Sequence, residues 1–184
     1  MAKHGDMRDE DWRLQGVTAV QNVPPDSTID AKPGDILKIV VPTIFHDRNI
    51  ALGLPNSTAL FLDLSQRMFK QAESIREEEL RKKEVRYIKE KSAFSFFEKT
   101  MASIIFAFNA LEAFANEEIP DDHVHYKKWK KLYVAQSKPI IERWVSLDVK
   151  LGTIIPQVFN IPSPKGTSTW TAYMNLKELR DRII

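Results

Sequence analysis

The chain has 184 residues, no cysteine, 43% hydrophobic residues, and 27 lysines and arginines against 25 aspartates and glutamates. It is long enough for one main domain with a real core, too apolar for a disordered chain, and without means for disulfides, thiolate chemistry or cysteine metal sites. A net charge of +2 gives no general attraction to nucleic acid, so such a surface must come from local clustering.

The opening MAKHGDMRDEDW is polar throughout and lacks the apolar core of a secretion leader, so the expected location is cytoplasmic. Residues 1–55 read as an N-terminal arm that packs on a helical bundle. The arm is turn-rich (Pro24, Pro25, Pro33, Gly34) and acidic (Asp6, Asp9, Glu10, Asp11, Asp26, Asp30, Asp35, Asp47), which argues against it as a nucleic-acid contact. ILKIVVP, with β-branched Ile36, Ile39, Val40 and Val41, predicts an edge strand ended by Pro42 and paired with Gly16–Val20.

From residue 56 the pattern is helical, and an all-α bundle is expected with helices near 57–91, 95–118, 124–136, 138–151 and 168–184. Asn56 or Ser57 caps the first helix, in which Leu60, Leu64, Met68, Ala72 and Ile75 trace a core stripe. Beyond Ile75, Glu77, Glu78 and Glu79 stand four residues ahead of Arg81, Lys82 and Lys83, the orientation of helical ion pairs on a solvated face; Val85 and Ile88 resume the packing.

The central stretch is FSFFEKTMASIIFAFNALEAFANEE, with Ser95 and Glu98 spaced as a capping box and Pro120 marking its end. Phe97, Met101, Ile104, Phe108, Leu111 and Ala115 form one apolar row; Phe94, Ile105 and Phe114 widen it, as a helix with several neighbours requires. Met101–Ala115 is broken by Asn109 and Glu112 and falls short of the roughly 20 residues of a membrane span. Asn109, Glu112 and Asn116 either sit solvated at the stripe's edge or need buried partners.

DDHVHYKKWKKLYVAQ interleaves Lys127, Lys128, Lys130 and Lys131 with Tyr126, Trp129 and Tyr133. Lysines among aromatics can hold a phosphate backbone and stack bases; the competing reading is an amphipathic helix with its aromatics in the core. His123 and His125 beside Asp121 and Asp122 suggest metal ligands, but no distant third ligand is identifiable, so no metal or other cofactor is expected. Ser137 and Pro139 open the next helix, with Ile140, Trp144, Leu147 and Leu151 as its stripe and Gly152 as its stop. A loop rich in proline comes next. Ser168 or Thr169 then opens the last helix, with Tyr173, Leu176, Leu179 and Ile183 inward.

FNALEAFANEEI in the central helix and NLKELRDRII in the last resemble the HEPN superfamily of small helical bundles found in toxins, defence proteins and RNA-processing enzymes. The resemblance covers residues 56–184 and implies a HEPN-like antiparallel bundle. The family motif is an arginine, usually a small polar residue, three variable residues and a histidine. Arg180 and Asp181 match its opening, and the histidine would fall immediately after Ile184, so the chain as it stands is expected to be catalytically silent.

The resemblance implies metal-independent RNA cleavage by a hydrolase acting as a toxin or defence effector, or else a non-catalytic binding or dimerisation module. It implies a homodimer with a composite site, RNA as substrate and an antitoxin or other protein as partner. Arg180 would bind the phosphoryl oxygens as charge builds, and Glu112 and Asn116 would orient it. Residues Lys127, Lys128, Lys130 and Lys131 remain the candidate RNA contacts.

Overall fold

The structure, a computed structural model, describes residues 13–18, 32, 36–38, 40–82, 90–130 and 132–184. The acidic and proline residues of the arm up to Asp35, together with Ile39, Lys83, Val85, Ile88 and Lys131, lie outside that set. The chain divides into two compact units, Met1–Leu60 and Phe61–Ile184.

In the first unit, β1 (Gly16–Thr18) pairs antiparallel with β2 (Ile36–Lys38), as the β-branched run from Ile36 predicts. A second pair departs from expectation. β3 (Val40–Phe45) runs through Pro42 and forms a hairpin with β4 (Arg48–Gly53), in which Pro42 lies opposite Ala51. A two-stranded ribbon has only edge strands, so a proline whose nitrogen faces outward costs no ladder bond. His46 and Asp47 close the turn with φ of 47° and 59°, the doubly left-handed form that matches the twist of the strands. Asn56 then caps α1 (Ser57–Arg81), its Oδ1 accepting from the Ala59 amide at 2.7 Å.

The second unit is mainly helical. α1 and α2 (Glu90–Glu117) meet where Ser65 Oγ donates to the Ser103 carbonyl at 3.0 Å and where Phe61 stacks on Phe106. Two buried serines at this crossing let the backbones approach, and each hydroxyl has a partner. α2 starts five residues before the expected capping box, because Glu90, Lys91 and Ala93 are themselves good helix formers. In the predicted stripe of α2, Phe108 and Ala115 are buried and Ile104, Ile105 and Leu111 half-buried, while Phe114 is exposed, as are Phe94, Phe97 and Met101. Near them, Ile75, Leu80, Phe96 and Phe97 line an apolar depression of about 220 Å³.

The expected helix over 124–136 is instead an antiparallel hairpin, β5 (Val124–Trp129) and β6 (Leu132–Ser137), with Lys130 at the turn at φ 54°. Val124, Tyr126, Trp129, Tyr133 and Val134 are poor helix formers and good strand residues, and they recur in two six-residue runs that flank a polar turn. α3 (Lys138–Trp144) comes next and breaks at Val145, so Ile141 rather than Ile140 or Trp144 is buried.

A continuous helix then spans 147–159: α4 (Leu147–Val149), a π-helical stretch (Lys150–Ile154) and α5 (Ile155–Phe159). It ends at Asn160, which has φ 50°, so the glycine at 152 does not stop it. α6 (Ser168–Ile183) is capped by Thr167, whose Oγ1 accepts from the Trp170 amide, one residue earlier than expected.

The core lies where these helices meet the C-terminal half of α2. Phe108, Ala115, Leu147, Ile155 and Tyr173 form one buried cluster, and Ile119, Ile141 and Ile154 a second. Among the described residues no helix is long and apolar enough to cross a membrane.

Gly152 is buried beside Trp170, and a Cβ built there would stand 2.9 Å from the indole Cη2. Gly152→Ala is therefore expected to destabilise the fold by about 1–3 kcal/mol through overpacking. Thermal melting should show a fall of roughly 2–10 °C.

Candidate functional site

Lys150 is the one fully buried cation among the described residues, with a relative exposure of 0%. It opens the π-helical stretch, where the Ile155 amide donates to the Lys150 carbonyl and widens the helix by a residue. Its ammonium donates to Asn116 Oδ1 and to the Glu142 carbonyl, each at 2.8 Å. Burial pushes the amine below its ordinary value, against the charges of Glu112 and Glu142 that hold it up. Asn116, a polar residue of the apolar α2 stripe, thus finds its partner in Lys150, and Glu112 of the same stripe favours the ammonium through its charge. Nothing in the sequence marks this lysine except those two residues in want of one.

Arg180, in the last turn of α6, is placed elsewhere on α2. Its guanidinium lies over the Phe108 ring at 3.9 Å, and Nη2 pairs with Asp181 Oδ1 at 2.8 Å. Nε is buried without a hydrogen-bond partner. The guanidinium edge is thus fixed by stacking and by one carboxylate, with a donor left over that an anion could take.

Below it, Tyr173 stacks on Phe108 and its hydroxyl donates to Asp148, which also pairs with Lys177. Burial would raise the Asp148 carboxyl, but the bonds from Lys177 and Tyr173 carry it below the usual carboxylate range. Burial, with Asp148 beside it, pushes the Tyr173 phenol well above its ordinary 10.0, so it stays a donor. The helical spacing marks Tyr173 as inward, but nothing in it points to Asp148 as the partner. Asn116 accepts from Lys150, on which Glu112 acts only through its charge, and no hydrogen bond joins either to Arg180 among the described residues.

Lys127, Lys128 and Lys130 sit on the β5–β6 hairpin, exposed, and no ion pair engages them among the described residues. Tyr126 and Tyr133 are 63% and 68% exposed, which overturns the reading of a helix with its aromatics in the core. His125 is held below its ordinary value by burial and by the neighbouring His123 and Lys127. Among the described residues no three histidine, aspartate or glutamate side chains converge as metal ligands.

Comparison with protein-family models, with curated proteins and with solved structures finds no match for the chain.

Removing the Lys150 ammonium by Lys150→Ala strips Asn116 and the Glu142 carbonyl of their donor and opens a cavity. A loss of roughly 3–5 kcal/mol is expected in chemical denaturation. The folded amine titrates below its unfolded value of 10.5, so the unfolded state binds more protons between the two. Wild-type stability measured against Lys150→Met should therefore rise as pH climbs through the lowered value toward 10.5. A difference independent of pH across the alkaline range would show that Lys150 is not held in this way.

Proposed function

We propose that this chain is a HEPN-like domain acting on RNA, with Arg180 as its phosphate-binding group. The observation that carries the reading is the state of Arg180: a guanidinium laid on the buried Phe108 ring, with Asp181 beside it and Nε buried without an acceptor. Stacking fixes the plane of the guanidinium, whose side chain keeps 29% exposure, so an arriving phosphoryl group meets a cation already held in place. The mainly helical second unit, with α6 packed on the α2 helix that bears FNALEAFANEEI, supports the HEPN-like assignment.

In this reading cleavage follows the family chemistry. A histidine takes the ribose 2′-hydroxyl proton or returns one to the leaving oxygen, while Arg180 neutralises the phosphoryl charge. The two groups come from two protomers across a homodimer. Met174 and Leu179 on α6, the latter expected inward but exposed, and Ile184 just after the helix supply apolar surface for that contact, and exposed Phe94 and Phe97 on α2 supply surface for a protein partner of the antitoxin kind. A non-catalytic binding module is the second reading. It is favoured by the engagement of Asn116 with Lys150, which leaves Arg180 without the orienting hydrogen bond the family pattern implies.

The test is RNA cleavage in EDTA by the 184-residue chain and by a version carrying a histidine after Ile184. The longer protein should cut and the shorter should not, since loss of proton transfer is worth typically ~10²–10⁴ in rate. Arg180→Ala in the longer protein should abolish cutting at a stability cost of only about 0.5–2 kcal/mol, the worth of its ring contact. No cleavage by either length, with RNA still bound, selects the binding module. Undiminished cleavage by Arg180→Ala would place the active site elsewhere.

A further inference from the structure

The β5–β6 hairpin does more than display lysines. Between it and the turn that joins α3 to α4 lies a cleft of about 360 Å³, lined by His125, Tyr126, Lys127, Lys128, Gln136 and Trp144 among others. That volume is at the small end of the range for small-ligand sites, roughly 300–1,000 Å³. Its residues are separate from Arg180, Phe108 and Asp181.

The chemistry of the lining is specific. Trp144 is 71% exposed at the mouth, an unusual position for the largest side chain, and Arg143 lies over its ring at 5.2 Å. One face of the indole thus carries a cation and the other is free to stack. Lys127 lies on the same face of β5 as His125 and lines the cleft without an ion pair among the described residues, so its charge is uncompensated there. Gln136 lies opposite His125 in the strand register, and its Oε1 is buried with no hydrogen-bond partner. A buried unsatisfied acceptor is costly and implies a donor from water or ligand. Burial, with His123 and Lys127 nearby, holds His125 below its ordinary value and so disfavours its charge, which leaves Lys127 as the positive group on this face of the cleft.

We propose that this cleft binds one nucleotide: a base stacked on Trp144, its amino or ring N–H donated to Gln136 Oε1, and its phosphate held by Lys127. A flat ring, a donor edge and an anion are the three features this lining rewards together; a lipid offers no ring and an acidic peptide no flat donor edge. The proposal rests on the RNA reading for the class of ligand, and on its own residues for the site. The nucleotide is either free or one unit of a single strand, and the test separates these.

Tryptophan fluorescence and isothermal titration of the 184-residue chain would be carried out with AMP, with UMP, with a single-stranded hexanucleotide RNA and with a duplex of the same sequence. Quenching by a mononucleotide identifies a free-nucleotide pocket. Quenching by the hexamer alone identifies a strand subsite. In either case Trp144→Ala should weaken binding on the order of tenfold or more, as loss of one stacked base does. Lys127→Ala should lower the slope of log affinity against log salt by about 0.7 for the strand. Circular dichroism checks that the variants fold, and these exposed side chains leave both core clusters intact.

The readout is binding, so it stands whether or not RNA is cut, and failure of the Arg180 experiment leaves it untouched. The proposal is overturned by three outcomes: no saturable binding of any nucleotide or strand, duplex bound as well as single strand, or Trp144→Ala binding like the wild type.

Discussion

The second unit is arranged around a single buried ammonium. Lys150 has to be desolvated to lie where it does, and an uncompensated cation in that position would cost several kcal/mol. Compensation comes from three sources at once: the Asn116 amide oxygen of α2, the Glu142 carbonyl of α3, and the charges of Glu112 and Glu142. The orientation of α2, the place where α3 ends and the widened turn at Lys150 are thus consequences of one charge finding its acceptors. The apolar clusters on either side give the burial energy, but they are tolerant of small shifts where a 2.8 Å hydrogen bond is not.

The polar network below Arg180 follows the same logic on a smaller scale. Asp148 accepts from both Tyr173 and Lys177, which joins α4 to α6 and leaves Arg180 to be positioned chiefly by the Phe108 ring. A cation placed by stacking keeps its hydrogen-bond donors available, whereas one placed by several carboxylates would have used them. That distinction separates the two basic groups in this unit. Lys150 is structural because its donors are engaged in the interior, and Arg180 is the functional candidate because one of its donors is not.

What is legible in the sequence is what has one strong local cause. α1 and α6 follow from apolar steps of three and four over many turns, the cap of α1 from Asn56, and the β1–β2 pair from a β-branched run. The clustering of Lys127, Lys128 and Lys130 is equally plain, but their spacing suggests a helix. The same residues satisfy a helical spacing and a two-strand spacing, and only the weak helix propensity of Val124, Tyr126 and Tyr133 favours the strands. Half of the Lys150 site is visible as Glu112 and Asn116, two polar residues in an apolar stripe. Its other half is invisible, because a lysine on a helix is nearly always solvated and the residues around Lys150 say nothing to the contrary.

The π-helical stretch has a meaning beyond the lysine it begins with. A turn wider by one residue is a slip of phase: the side of the helix that faces inward before residue 150 is rotated relative to the side that faces inward after 154. Leu147 and Ile155 serve one apolar cluster while Val149, Ile154 and Val158 serve the other, so a single rod contributes residues from both sides of the widened turn to each of two cores. The widened turn takes up its extra residue without a loop. Its removal would restore a uniform helix and, in the same step, uncouple the two halves of the unit that it now holds in a common register.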